Sequence, residues 1–211
     1  MLDHLIFCTY IILFIHSTIG YGFIFTKIVN KEFFHFNLGY IGIIGFFLIS
    51  LISIFTSFFI PHGFVHNSIL HFIGITSFII YFYKFKKIDE LKLLWIVLLI
   101  LWIGLYAYKN HDDFAYYHLT YSLNLSENSF AVGMGKFSHG FRTFSSLFYF
   151  HSILYMPYIE FYLFHIGPFL ILLFFNSVII TKLTNDLNNQ DINFIYFFSL
   201  LFLIFINIAF Y

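Results

Sequence analysis

Residues Phe33–Tyr83 read FFHFNLGYIGIIGFFLISLISIFTSFFIPHGFVHNSILHFIGITSFIIYFY, 51 positions without an Asp, Glu, Lys or Arg. A lipid core roughly 30 Å thick is crossed by about 20 apolar residues in helix, so this run is too long for one crossing and suits two. It divides at Pro61-His62-Gly63-Phe64-Val65-His66-Asn67, where proline and glycine interrupt the apolar pattern. The expected spans are Asn37–Ile60 and Ser68–Tyr83.

The same ruler extends in both directions. Leu5–Thr26 has no formal charge over 22 residues and makes a first span. It follows Met1-Leu2-Asp3, with no basic segment before it, so it does not read as a signal peptide. Leu93–Tyr108 has only 16 residues, but Lys92 and Lys109 can snorkel outward and lengthen it. Thr143–Thr181 holds a single charge, Glu160, in 39 residues. It reads as a helical hairpin with arms Thr143–Tyr155 and Phe161–Ile180, a turn at Met156–Glu160 and a kink at Gly167-Pro168. Ile192–Tyr211 makes the last span and runs to the end of the chain without a polar flank, as expected of a C-terminally truncated fragment. The expected fold class is therefore all-α, a polytopic transmembrane helix bundle of about seven spans. It forms one domain over residues 1–211, with an external amphipathic-helix loop at 110–142.

Composition agrees. Hydrophobic residues make up 61% and charged residues 9%, against roughly 25% charged in soluble domains. Formal net charge is zero, which suggests no nucleic-acid partner. The single cysteine, Cys8, excludes a disulfide within the chain and reads as an apolar packing residue. If the spans alternate, Lys27, Lys31, Lys84, Lys86, Lys87 and Lys92 fall on one side and Lys182 alone on the opposite short connections. The positive-inside rule then puts the lysine-rich side in the cytoplasm. In a bacterial chain this means an inner-membrane protein whose 110–142 loop is periplasmic.

That loop opens with Lys109-Asn110-His111-Asp112-Asp113-Phe114. Asn110 and Asp113 fit a capping pattern for a helix to about Leu123. On it His111, Phe114, Ala115 and His118 share one face, while Asp113 and Tyr117 share another. Two readings stand side by side. Asp112 and Asp113 cap a helix lying on the membrane surface, or they supply a general base at the mouth of a span. His111 and His118 stand about 10 Å apart by helix geometry and cannot hold one metal ion, so no metal site is expected and no cofactor is indicated. Further on, Gly133-Met134-Gly135-Lys136 and Ser138-His139-Gly140-Phe141-Arg142 form a glycine-rich, cationic stretch. Lys136, His139 and Arg142, the only arginine, could hold a phosphate or anchor the loop to lipid headgroups. The other histidines read as structural: His62, His66 and His71 near span ends, His151 and His165 bonded to a neighbouring span, with Glu160 in a cytoplasmic turn.

The segment Asp113-Phe114-Ala115-Tyr116-Tyr117-His118-Leu119, placed after a span and before a hairpin, resembles the GT-C membrane glycosyltransferases. Bacterial members often show an acidic residue followed by Tyr-His-Leu, matched here by Tyr117-His118-Leu119. The likeness covers about residues 93–182. It departs in the three spans that precede the acidic loop and in the short C-terminal portion. It implies sugar transfer from a polyprenyl-phosphate donor to a periplasmic acceptor, with membrane lipids as the other partners. It also implies Asp113, with Asp112 as second choice, as base, and Arg142 and Lys136, aided by His139, at the lipid phosphate. Tyr117, His118 and His111 would support the site. The alternative function is a transporter, a flippase-like protein or a structural multispanning protein without catalysis. No Asp, Glu, Lys or Arg lies centrally in a span, which disfavours transport.

Overall fold

The computed structural model describes residues 2–29, 36–106, 113–137, 139–142, 144–190 and 192–210. The principal helices are α1 (Leu2–Val29), α2 (Leu38–Ser57), α3 (Phe64–Phe85), α4 (Ile88–Tyr106), α5 (Leu119–Glu127), α6 (Ser146–Ser152), α7 (Ile166–Asn188) and α8 (Phe194–Phe210). Among the described residues there is no strand, only one isolated bridge. Four helices, α1, α2, α3 and α7, are long and apolar enough to cross a membrane. In α4, Asp89, Glu90 and Lys92 crowd the first two turns, and the apolar stretch Phe194–Asn207 of α8 is shorter.

The hairpin departs from expectation in its first arm. Its helix, α6, has seven residues, about 10 Å of rise, too little to cross a bilayer core. It is instead buried: every residue from Phe148 to Leu154 is inside the bundle. The turn at Met156–Glu160 forms, with Glu160 N–H donating to Met156 O at 2.8 Å. Gly167 and Pro168 do not kink a span. They fall in the first turn of α7, where the N–H that proline lacks has no partner in the helix to lose.

Glycine explains how the long helices come so close. A Cβ on Gly45 would collide with the Thr18 carbonyl of α1, and one on Gly20 with the Gly74 carbonyl of α3. Small residues let helix backbones touch where lipid supplies no hydrophobic drive for association. Phe14, Ile15, Ile19, Phe23, Ile41 and Ile49 fill the resulting core.

Two sets of bonds define the ends of the bundle. At one end Glu90 accepts the Leu38 N–H at 2.6 Å and pairs with Lys87 at 2.7 Å, while Lys87 donates to Phe36 O. This ties the start of α2 to the α3–α4 junction. α7 runs antiparallel to α2, with Gly39 against Phe174 O and Val178, so Lys182 lies at this same end. That corrects the expectation that Lys182 sits opposite Lys27, Lys84, Lys86, Lys87 and Lys92; Lys31 lies outside the described residues. At the other end His62 N–H donates to Leu125 O at 2.8 Å, Phe130 N–H to Ser57 O at 2.7 Å, and Tyr10 OH to Pro157 O at 2.8 Å. The Met156–Glu160 turn therefore sits with the long loop, away from the lysines. The expectation that Glu160 lies at the lysine-rich end is corrected for the same reason: α6 enters and leaves from one end.

Candidate functional site

Asp113 stands at the head of a π-helical turn, Phe114–His118, that runs directly into α5. Such wide turns, closed between residues five apart, recur at functional sites. Here the backbone carbonyl of Asp113 accepts from Tyr116 N–H and Tyr117 N–H at 3.1 and 3.2 Å, but its side chain makes no cap bond to this turn. The carboxylate instead accepts from Tyr117 OH at 3.3 Å. Desolvation, and beside it the Asp113 carboxylate, raise the Tyr117 phenol above its ordinary value, so the hydroxyl stays protonated and donates to the acid. The expected Asn110 cap, with His111 and Asp112, lies outside the described residues.

The cationic stretch folds into two short turns, Met134–Lys136 and His139–Arg142, entered through Gly133 at φ 93°. Arg142 Nε donates to Gly135 O at 3.1 Å, and a Cβ on Gly135 would press on Arg142 Cγ. Gly140 lies flat on Tyr117, where a Cβ would overlap the tyrosine ring. Phe141 meets the edge of Tyr121, whose hydroxyl bonds that of Tyr149 at 3.0 Å. Tyr117 is therefore the shared neighbour of the carboxylate on one side and the cationic turn on the other. His118 joins from below, edge-on to Tyr117 and tilted against Phe148, with ring centroids 4.4 and 4.9 Å away. Lys136, His139 and Arg142 are exposed, and so are Val132 (95%) and Phe137 (86%) beside them. Apolar tips among cations suit a headgroup anchor as well as a phosphate clamp.

Compared with protein-family models, curated proteins and solved structures, the chain matches none. Among the described residues no group of three or more His, Cys, Asp and Glu side chains converges to hold a metal ion.

The histidines near the span ends form a buried network that sequence reasoning located without seeing its purpose. His62 is fully buried between Ser152 Oγ at 2.6 Å and Thr56 Oγ1 at 3.0 Å. Burial, with His66 stacked beside it, pushes the His62 imidazole down to about 3. A neutral ring has one N–H, so one ring nitrogen donates and the other accepts, between two hydroxyls that themselves reach carbonyls, Ser152 to Tyr149 O and Thr56 to Ser53 O. Asn67 Nδ2 spans the carbonyls of His62, Ser152 and Tyr155 at 2.7–3.0 Å. His71 donates from Nε2 to Ile153 O at 2.9 Å and accepts from Ser17 at Nδ1. Together these bonds fasten the end of α6 to α1, α2 and α3, satisfying backbone carbonyls that a short buried helix would otherwise leave bare.

His151 departs from its expected role. It is buried, yet neither ring nitrogen has a hydrogen-bond partner among the described residues. Nε2 faces Gly167 at the start of α7 instead of a polar group on a neighbouring span. His165, also expected to bond a neighbouring span, lies beside a cavity at the N-terminal end of α1.

Proposed function

We propose that this chain acts in glycosyl transfer at a membrane, taking a sugar from a polyprenyl-phosphate donor to an acceptor in the cell envelope. Asp113 takes the proton of the acceptor hydroxyl while its oxygen bonds the sugar's anomeric carbon. The bond from that carbon to the phosphate oxygen breaks, and the polyprenyl phosphate leaves with the electron pair. Arg142, Lys136 and His139 offset the negative charge gathering on the leaving phosphate. Tyr117 and His118 position Asp113, and His111 and Asp112 belong to the same entrance by sequence. In this reading α4 and α8 join the four long apolar helices as crossings and α6 re-enters from the outside. The 110–142 loop then faces the periplasm of a bacterial inner membrane.

One observation supports the reading most: Tyr117 bonds the Asp113 carboxylate while Gly140 of the cationic turn rests on the same ring. Base and phosphate clamp would need that proximity. The test is Asp113→Asn in membranes supplied with labelled undecaprenyl-phosphate sugars. An amide cannot take a proton at neutral pH, so release of the polyprenyl phosphate should fall roughly 10²–10⁴-fold with thermal stability unchanged. Transfer at the wild-type rate would remove Asp113 as the base.

A further inference from the structure

A cavity of about 560 Å³ opens at the N-terminal end of α1, between that helix, the end of α4, the Met156–Glu160 turn and the residues that follow it. Its volume falls in the range of small-molecule sites, roughly 300–1,000 Å³. Phe7, Leu105 and Ile159 line its apolar wall, and Asp3, Tyr158 and Tyr162 stand at its rim. Neither Asp113, Tyr117 nor Arg142 lines it.

The backbone here is held in an uncommon form. Tyr158 and Glu160 adopt φ values of 66° and 44°, a region costly for residues with a Cβ, and more so for a bulky tyrosine. The strain is maintained by the Met156–Glu160 bridge and by the Tyr10 bond to Pro157 O. Its result is to present Tyr158, 86% exposed, and Tyr162, 62% exposed, beside the cavity. The strained turn thus places both rings at the border of the cavity.

The lining also selects a charge. It contains one carboxylate, Asp3, and no lysine or arginine; His4 and His165 complete its polar groups. Part of the Asp3 charge offsets the positive end of α1. Burial holds the His165 imidazole down at about 4, so it adds no positive charge near neutral pH. A phosphate or carboxylate would meet the Asp3 carboxylate with no lysine or arginine in the lining to offset it. An alkylated ammonium would instead find a carboxylate, two tyrosine rings, one of them stacked on Phe161, and an apolar wall ending in Phe7, groups that attract organic cations through charge and the aromatic quadrupole.

We propose that this cavity binds a hydrophobic organic cation, an alkylammonium group with an apolar body, with Asp3 as counter-charge and Tyr158, Tyr162 and Phe7 as its aromatic enclosure. The site is separate from the Asp113 cluster and does not depend on the glycosyl-transfer reading.

Trp102 reports on occupancy, since its ring meets the edge of Phe7 at 6.5 Å. In a Trp95→Phe background, kept in uncharged maltoside micelles, tryptophan fluorescence is titrated with three probes: benzyltrimethylammonium, its uncharged isostere neopentylbenzene, and benzenesulfonate. The cation should give a saturable change, with the isostere and the anion at least tenfold weaker. Asp3→Asn and Tyr158→Ala should each weaken the cation roughly tenfold. Phosphatidylcholine or phosphatidylglycerol is then added as competitor. Displacement by the choline lipid alone identifies a lipid headgroup as the natural source of the cation, whereas no displacement by either identifies a soluble amine. Equal binding of cation and isostere in the wild-type chain overturns the proposal, and this comparison stands even if a variant fails to fold. An Asp3→Asn affinity within twofold of wild type overturns it as well.

Discussion

Tyr117 connects more of the candidate site than any other side chain, because one face bears the cationic turn and its hydroxyl bonds Asp113. Tyr117→Phe keeps the ring under Gly140 and removes only the donated hydrogen bond. Transfer should slow roughly two- to tenfold, far less than with Asp113→Asn; an equal loss in both variants would make the tyrosine the proton acceptor's essential partner. His62 carries a second prediction. Its folded-state value near 3 lies below the ordinary 6.5, so the unfolded chain binds its proton first as pH falls. The stability contribution is whole above about pH 6.5 and is lost progressively toward pH 3. Between pH 6.5 and 5 carboxylates contribute little, so scanning fluorimetry there reads chiefly the histidines. The melting temperature should fall across that window, and His62→Gln should flatten the fall while lowering the value at pH 8. A slope identical to wild type would mean that His62 is protonated without penalty in the folded protein.

At the scale of the elements, close helix packing rests on absent side chains. Gly45 of α2 meets the Thr18 carbonyl directly, and no rotamer change can move a backbone oxygen. Gly45→Ala should therefore cost about 1–3 kcal/mol by overpacking. Gly63, which precedes α3, has its nearest neighbour, Ser126 O, 3.7 Å from where a Cβ would lie. It is the matched control, and Gly63→Ala should leave the melting temperature nearly unchanged. Equal melting temperatures for the two variants would show that α1 and α2 are less tightly apposed than described. The element hardest to foresee was α6. Its sequence is as apolar as a span, but Ser145 caps its start by accepting the Leu147 N–H, and the His62, Asn67 and His71 bonds gather its end. Short length, with polar partners at its C-terminal end, is what keeps it inside the bundle.

For the whole molecule, the distribution of charge becomes simpler in three dimensions than along the chain. Every described lysine outside the long loop lies at one end, because α6 does not cross and α7 returns to the α2 start. Accessibility labelling can read this in a Cys8→Ser background. Cysteines at Ser129 and Tyr158, both exposed at the loop end, should be modified by an impermeant reagent from the same side. A cysteine at Lys86 should be protected until the membrane is opened. Modification of Ser129 and Tyr158 from opposite sides would restore the crossing hairpin and reject the re-entrant α6.

Much of the fold follows from composition and run length alone. A chain with 61% hydrophobic residues in long uncharged runs, broken by Pro61 and Gly63 and by the Lys84–Lys92 cluster, suits helices that bond their own backbone within each run, and helices over 38–57 and 64–85 follow. The turn at Met156–Glu160 was legible too, from its proline and its charge. Tertiary structure decided the rest. Hydropathy measures a segment's distaste for water but not what replaces the water, so largely exposed α3 and protein-buried α6 look alike in sequence. Spacing placed Asp113 and Tyr117 on one helical face, but only folding set Gly140, 23 positions later, against that tyrosine. The cavity beside Asp3 joins three segments distant in the chain, and no local pattern marks it. Such sites depend on which backbones touch, and contact between distant segments is a property of the packed molecule.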